Sequence, residues 1–434
     1  MECLSSGSSC QSDYCNNNVS NSLAPENAST NDSKICAKCG GTIPISIKTL
    51  GGSHLCEPCF TSNVYSKFRL AVTTHAMITP SDNVLIAFSG GSSSRVALQF
   101  VHDLQQKKQE NFDASKDRAL RVFSASPVFI DDRIIHPNSD SQYDGAIEKM
   151  RSIVSNLSPP TFNFIVSSID SVYSSDGKQK LLNLLSAVED ETGREDLLQH
   201  FTMLALQKIA TEKGFSKIIL GTSTSRIARH VLSSTVKGKG YSLSSEIHYV
   251  NTKWSVPVAL PLRDCTSVEL NSICIINGLK TVELPVNPTS SINNLVSSFV
   301  SSLQVDNPSR ESTIVRTAGK LTPFNFNAMH EFDLESTPLS TIKRVKKNSI
   351  NAEEYIKANL FCCICHCPMK NNEGVEVVNF KGRCCCSCRF QIVPNDPSKI
   401  EHFYSLLPKQ NHISVSCLRE RIQEFLICES EEET

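Results

Sequence analysis

The sequence has 434 residues, 40% of them hydrophobic, with 43 Lys and Arg against 44 Asp and Glu. That length can bury two or three cores, and the even charge excludes a whole-molecule field drawing the chain to nucleic acid, so any RNA contact must use local basic patches. The first thirty-five residues carry neither a secretory leader nor an Arg-rich transit peptide, and no apolar run reaches the roughly eighteen residues of a membrane span. A cytoplasmic, non-membrane protein is expected.

Residues 1–33 are rich in Ser and Asn and poor in large apolar side chains, which predicts a disordered tail. A compact cysteine module follows over 34–60. A helix is expected over 61–79, with Val64, Phe68, Val72 and Met77 on one face and Pro80 at its end. Short apolar runs at 84–88, 121–130, 162–169, 217–221 and 256–262 predict buried strands. Amphipathic stretches at 93–106, 143–157, 195–213, 226–236 and 267–277 predict the helices between them. The alternation over 61–287 implies an α/β fold with a doubly wound parallel sheet. Residues 288–351 lose this pattern, with serine pairs at Ser297–Ser298 and Ser301–Ser302 and a basic run from Lys343 to Lys347, and are expected to be an insertion or linker. A second cysteine module and a closing helix over 414–427 occupy 352–428, and 429–434 form an acidic tail.

Nineteen cysteines in a reducing compartment point to metal or redox chemistry before disulfides. Cys36 and Cys39, then Cys56 and Cys59, form two C-x2-C knuckles sixteen residues apart, the spacing of a four-thiolate zinc site. In the second module the C-x2-C pairs are Cys362 with Cys365 and Cys385 with Cys388, nineteen residues apart. Cys363, Cys367, Cys384 and Cys386 are then spare thiols or alternative ligands, and an iron-sulfur cluster is the rival occupant. Both modules are expected to be structural zinc ribbons that offer docking surfaces, since a closed site leaves no position for substrate.

Val84 to Phe88 followed by Ser89-Gly90-Gly91-Ser92-Ser93-Ser94 and an apolar-periodic helix is a strand, a glycine turn and a helix start, whose backbone N–H groups suit a pyrophosphate. Here the chain resembles the PP-loop ATP pyrophosphatases, with their Ser-Gly-Gly-x-Asp-Ser signature. Ser89, Gly90, Gly91 and Ser94 match, whereas Ser93 replaces the Asp, and a hydroxyl is a poorer magnesium partner than a carboxylate. A second stretch from Gly221 to Leu232 resembles the Gly-His-Asn-x-Asp-Asp-x-x-Glu-Thr-x-Leu block of the tRNA thiolases. Gly221 and Leu232 match, but Ser225, Arg226 and Arg229 replace the three acids. ATP–magnesium binding is therefore not expected. Nor does a cysteine stand between 60 and 264 to relay sulfur or hold a cluster, while Cys265 and Cys274 read as buried helix thiols.

A four-cysteine module, a degenerate Ser-Gly-Gly-x-Ser-Ser loop and a C-terminal cysteine module together resemble the cytoplasmic tRNA 2-thiolation protein 2 family over about residues 34–430. The resemblance implies a heterodimer with a catalytic thiolase paralogue, tRNA binding, and sulfur drawn from a thiocarboxylated ubiquitin-related modifier, the agent of protein urmylation. The product would be 2-thiouridine at the wobble position of tRNAs for Lys, Glu and Gln. This chain would then be the non-catalytic subunit. RNA contacts are expected from Arg226, Arg229, Lys237 and Lys239 near the loop mouth and from Lys343, Arg344, Lys346 and Lys347 in the linker. Two other readings compete: an active ATP-dependent tRNA sulfurtransferase in which Asp131 or Asp132 supplies the metal ligand, and a zinc-module adaptor. The distance between the two cysteine clusters counts against the adaptor.

Overall fold

The computed structural model describes residues 34–43, 47–48, 52–114, 121–137, 139–157, 159, 162–284, 290–327, 356, 360–370 and 380–408. The expected tails, the closing helix over 414–427 and the basic run at 343–347 lie outside these residues. The chain divides into two compact units, Met1–Phe60 and Thr61–Thr434.

The first unit contains two short antiparallel pairs. β1 (Lys34–Ile35) pairs with β2 (Thr42–Ile43), and β3 (Ile47–Lys48) pairs with β4 (His54–Leu55). Gly40, at φ +72, makes the turn after the first knuckle.

Helix α1 (Glu57–Thr74) leads into the second unit. That unit is built on a six-stranded sheet: β5 (Asn83–Ala87), β6 (Ser124–Asp131), β7 (Ile165–Ser168), β8 (Lys217–Leu220), β9 (Val250–Asn251) and β10 (Val258–Ala259). The order across it is β7-β6-β5-β8-β10-β9, parallel except for the antiparallel edge strand β9. Val84, Leu85 and Ile86 are all fully buried. Three consecutive buried residues mean that both faces of the central strand are covered, as the unbroken apolar run requires.

The covering helices are α2 (Ser92–Ala114), α3 (Asp140–Ser155), α4 (Gly177–Ser186), α5 (Glu191–Glu212), α6 (Thr224–Val236), the short α7 (Leu243–Ile247) and α8 (Ser267–Ile276). Phe68 of α1 packs its ring 5.4 Å from Phe100 of α2. The chain runs outward through β6 and β7, then returns to place β8 beside β5. The crevice beyond the carboxyl ends of β5 and β8 is thus a topological switch point, where open α/β sheets bind ligands.

The expected linker contains ordered helices. α9 (Ile292–Asp306) and α10 (Arg310–Ala318) pack on α6, burying Val296, Val300, Val315 and Ala318. Ser291 caps α9 by accepting from Asn294 N at 3.2 Å. The serine pairs hide this helix because they interrupt an apolar stripe that is only two residues deep.

The C-terminal module packs into the second unit. After the hairpin β11 (Leu360–Phe361) and β12 (Pro368–Met369), and with α11 (Pro397–Leu406) behind it, Cys362, Cys384, Cys388 and Phe403 enter the same apolar cluster as Leu197 and Phe201 of α5. Tyr173 Oη donates to Leu406 O at 2.9 Å.

Candidate functional site

Two glycine turns meet at the switch point. Phe88, just beyond β5, donates its N–H to Val128 O at 2.8 Å, and Ser89, Gly90 and Gly91 then turn the chain into α2. Gly90 has φ +84, and a Cβ there would lie 2.9 Å from Met150 Cε and from Val282 Cβ, so both conformation and space demand glycine. Ser94 Oγ donates to Gly91 O at 2.9 Å and accepts from Ser89 Oγ at 3.2 Å. Gly221, directly after β8, sits against the same loop, where a Cβ would stand 2.7 Å from Ser93 O. The two blocks that resemble those signatures without their acids therefore meet, with the half-buried Ser93 at their contact.

The carboxylates at this end of the sheet are engaged elsewhere. Asp131 accepts from Arg133 Nε at 2.7 Å, and Arg133 also reaches Asp144 at 2.7 Å. Asp132 accepts from Tyr143 Oη at 2.7 Å, and burial together with this carboxylate raises the phenol's pKa far above its ordinary value. These contacts argue against the reading in which Asp131 or Asp132 substitutes for the missing magnesium ligand. A carboxylate that no sequence motif marks does arrive from α10. Glu311, 2% exposed, accepts from Ser225 Oγ at 2.5 Å, and burial raises its pKa against the opposing effects of Ser225 and Arg229.

Of the expected cations, Arg226 is exposed on the first turn of α6, whose N-cap is Ser223. Arg229 is half-buried, donating to Ser225 O at 3.3 Å and to Ser297 Oγ at 3.2 Å. Lys237 and Lys239 do not stand as RNA-facing charges. Lys237 Nζ donates to both oxygens of Asp196 at 2.8 Å and to Asn293 Oδ1 at 3.0 Å, with its side chain 5% exposed. Lys239 lies 3.8 Å from the same carboxylate. A lysine neutralised inside the protein has little charge left for a phosphate. Lys343, Arg344, Lys346 and Lys347 lie outside the described residues.

The thiols gather as the spacing predicts. The Sγ atoms of Cys36, Cys39, Cys56 and Cys59 lie within 4.8 Å of one another, as do those of Cys362, Cys365, Cys385 and Cys388. Cys39 and Cys56 are 3.9 Å apart, and Cys365 and Cys385 are 3.7 Å apart. Four thiolates about 2.3 Å from one tetrahedral ion have edges of about 3.8 Å. A four-iron cube carries its thiolates on outer corners and needs a wider cage, so one ion fits each set better. The two sites share a device: the third cysteine's N–H donates to the first cysteine's sulfur, Cys56 to Cys36 at 3.4 Å and Cys385 to Cys362 at 3.3 Å. These donors favour the thiolate, and the backbone N–H of Cys56, followed by that of Cys39, lowers Cys36 to a pKa of about 6. By contrast, burial raises Cys265 to about 12 and Cys274 to about 11, values that suit inert core thiols.

A sequence model of the family described as cytoplasmic tRNA 2-thiolation protein 2 matches residues 291–385. The chain is 47% identical to the cytoplasmic tRNA 2-thiolation protein 2 of Arabidopsis thaliana, with 93% of each chain covered. Against its counterpart in Oryza sativa subsp. indica the identity is 42%, covering 92% of this chain and 90% of that one. Among solved structures, the U34-tRNA thiolase NcsA from Methanococcus maripaludis, described with its [4Fe-4S] cluster, matches with a TM-score of 0.51. That match has 16% identity and covers 67% of this chain and 88% of that one, and it is a likeness of fold. With such identity to the plant proteins over nearly its whole length, the chain belongs to the cytoplasmic tRNA 2-thiolation protein 2 family.

Proposed function

We propose that this chain acts in tRNA thiolation as a non-catalytic subunit. It would pair with a catalytic thiolase paralogue that takes sulfur from a thiocarboxylated ubiquitin-related modifier and makes 2-thiouridine at the wobble position of tRNAs for Lys, Glu and Gln. The observation that carries this reading is the contact of Gly221 with Ser93. The two glycine turns keep their packing, while no matched acid remains in either block to hold magnesium. The scaffold is retained and the catalytic charges are gone, as suits a subunit whose chemistry resides in a partner. Arg226 and Arg229 are the candidate phosphate contacts at the mouth. Zinc is the ion assigned to both four-thiolate sets, where it would stabilise local structure without an open coordination position.

The test is complementation. In cells lacking the protein, wobble 2-thiouridine should be lost, and Ser93→Ala should restore it to near the wild-type level. Gly90→Leu should not, because its side chain meets Met150 and Val282. Loss of thiolation with Ser93→Ala, or pyrophosphate release by the purified chain alone with ATP, would establish an active site here and overturn the proposal. Purification of the tagged chain should bring down a cysteine-bearing paralogue and tRNA.

A further inference from the structure

The C-terminal module holds more thiols than one ion binds. Outside the four-thiolate set, Cys363 Sγ and Cys384 Sγ lie 3.4 Å apart, closer than the 3.7 Å between Cys365 and Cys385 within it. The backbone fixes this approach, because Cys363 N–H donates to Arg383 O at 3.0 Å. Arg389 grips the same turn, donating to Lys381 O at 3.0 Å and to Cys384 O at 3.2 Å. Cys363 is half-buried and reachable from solvent, whereas Cys384 is 1% exposed. One accessible thiol backed by a sheltered one is the arrangement of an attacking and a resolving cysteine.

We propose that Cys363 and Cys384 form a reversible oxidation site, a dithiol that a hydroperoxide converts to a disulfide while the adjacent four-thiolate centre keeps its ion. The Cys363 sulfur attacks the peroxide, so that an S–O bond forms, the O–O bond breaks and the alkoxide or hydroxide takes up the thiol proton. Cys384 then attacks the sulfenic sulfur. The S–S bond forms, the S–O bond breaks, and the hydroxyl leaves as water with the Cys384 proton. Two thiols are oxidised by two electrons and one peroxide is reduced to alcohol and water, or to two waters from hydrogen peroxide. A small thiol reverses the step by exchange, ending as its own disulfide. Closure shortens the sulfur separation from 3.4 Å to about 2.05 Å and releases the Cys384 contact with Phe380 O, now 3.4 Å.

The experiment treats the full metal-loaded chain with hydrogen peroxide and follows intact mass, metal content and thiol-labelled peptides. The expected result is a loss of about 2 Da, mapped to Cys363 and Cys384, with metal content unchanged and the mass restored by glutathione. Cys384→Ser should stop the reaction at a Cys363 sulfenic acid that dimedone captures, and Cys363→Ser should abolish the mass loss. A disulfide mapped to other cysteines, or one that forms only as metal is released, overturns the proposal. So does a wild-type chain binding one more ion than the Cys363→Ser, Cys384→Ser double variant, which would make the pair ligands of a second ion. Mapping on the wild-type chain decides the outcome even where a variant folds poorly.

Discussion

Lys237 shows how burial changes what a charged residue is for. Its ammonium is held between the two oxygens of Asp196 and Asn293, and removing it leaves a carboxylate, its side chain 9% exposed, to Asn293 Nδ2 at 3.2 Å and the more distant Lys239 at 3.8 Å. Lys237→Ala should therefore lower stability by about 2 kcal/mol, measured by denaturant unfolding, whereas a solvated RNA-facing lysine would cost within about 0.5 kcal/mol. A second group acts through pH. His75 stacks on Tyr249 with ring centroids 3.9 Å apart, and burial, with Arg263 nearby, lowers its pKa from 6.5 to about 4. Burial likewise brings His248 to about 4. Each is a base with a folded pKa below its unfolded one. As pH falls from about 6.5 to 4, the unfolded chain takes up protons that the folded chain refuses, so stability falls over that window. The melting temperature should drop through it, and His75→Gln with His248→Asn should flatten the drop; an unchanged slope would remove these histidines as its cause.

At the scale of elements, α5 carries the C-terminal module by close backbone approach. A Cβ on Gly193 would stand 2.0 Å from Gln391 O. Gly193→Val should cost about 3 kcal/mol and raise hydrogen exchange in α11, since the turn after Cys388 would have to leave α5. The central elements were legible because a buried parallel strand writes itself as an unbroken apolar run, as in Val84 to Phe88. Less legible were α9 and α10, whose buried positions are few and spaced by serines. The edge strand β9 is two residues long and has no period to read. Cys362, Cys365, Cys385 and Cys388 were legible because thiolate geometry is local to each knuckle.

For the whole molecule, the two thiolate sites lie in different units. Cys36→Ser should remove one ion per chain and unfold the first unit. Cys385→Ser should remove one ion and lower the melting temperature of the second, because Cys362 and Cys388 of the same set belong to a buried apolar cluster of that unit. Metal analysis with calorimetry separates the two, and retention of both ions by Cys385→Ser would shift the ligand set to a spare thiol. By itself the sequence determined the alternating α/β scaffold, the paired knuckles and the glycine turn, because each is written in neighbouring residues whose spacing obeys local geometry. Only the tertiary structure decided that Gly221 touches Ser93, that Glu311 reaches Ser225, that Lys237 is buried on Asp196 and that Cys363 meets Cys384. Those contacts join segments across the fold, and charge, packing and desolvation act through space, where linear spacing leaves no mark.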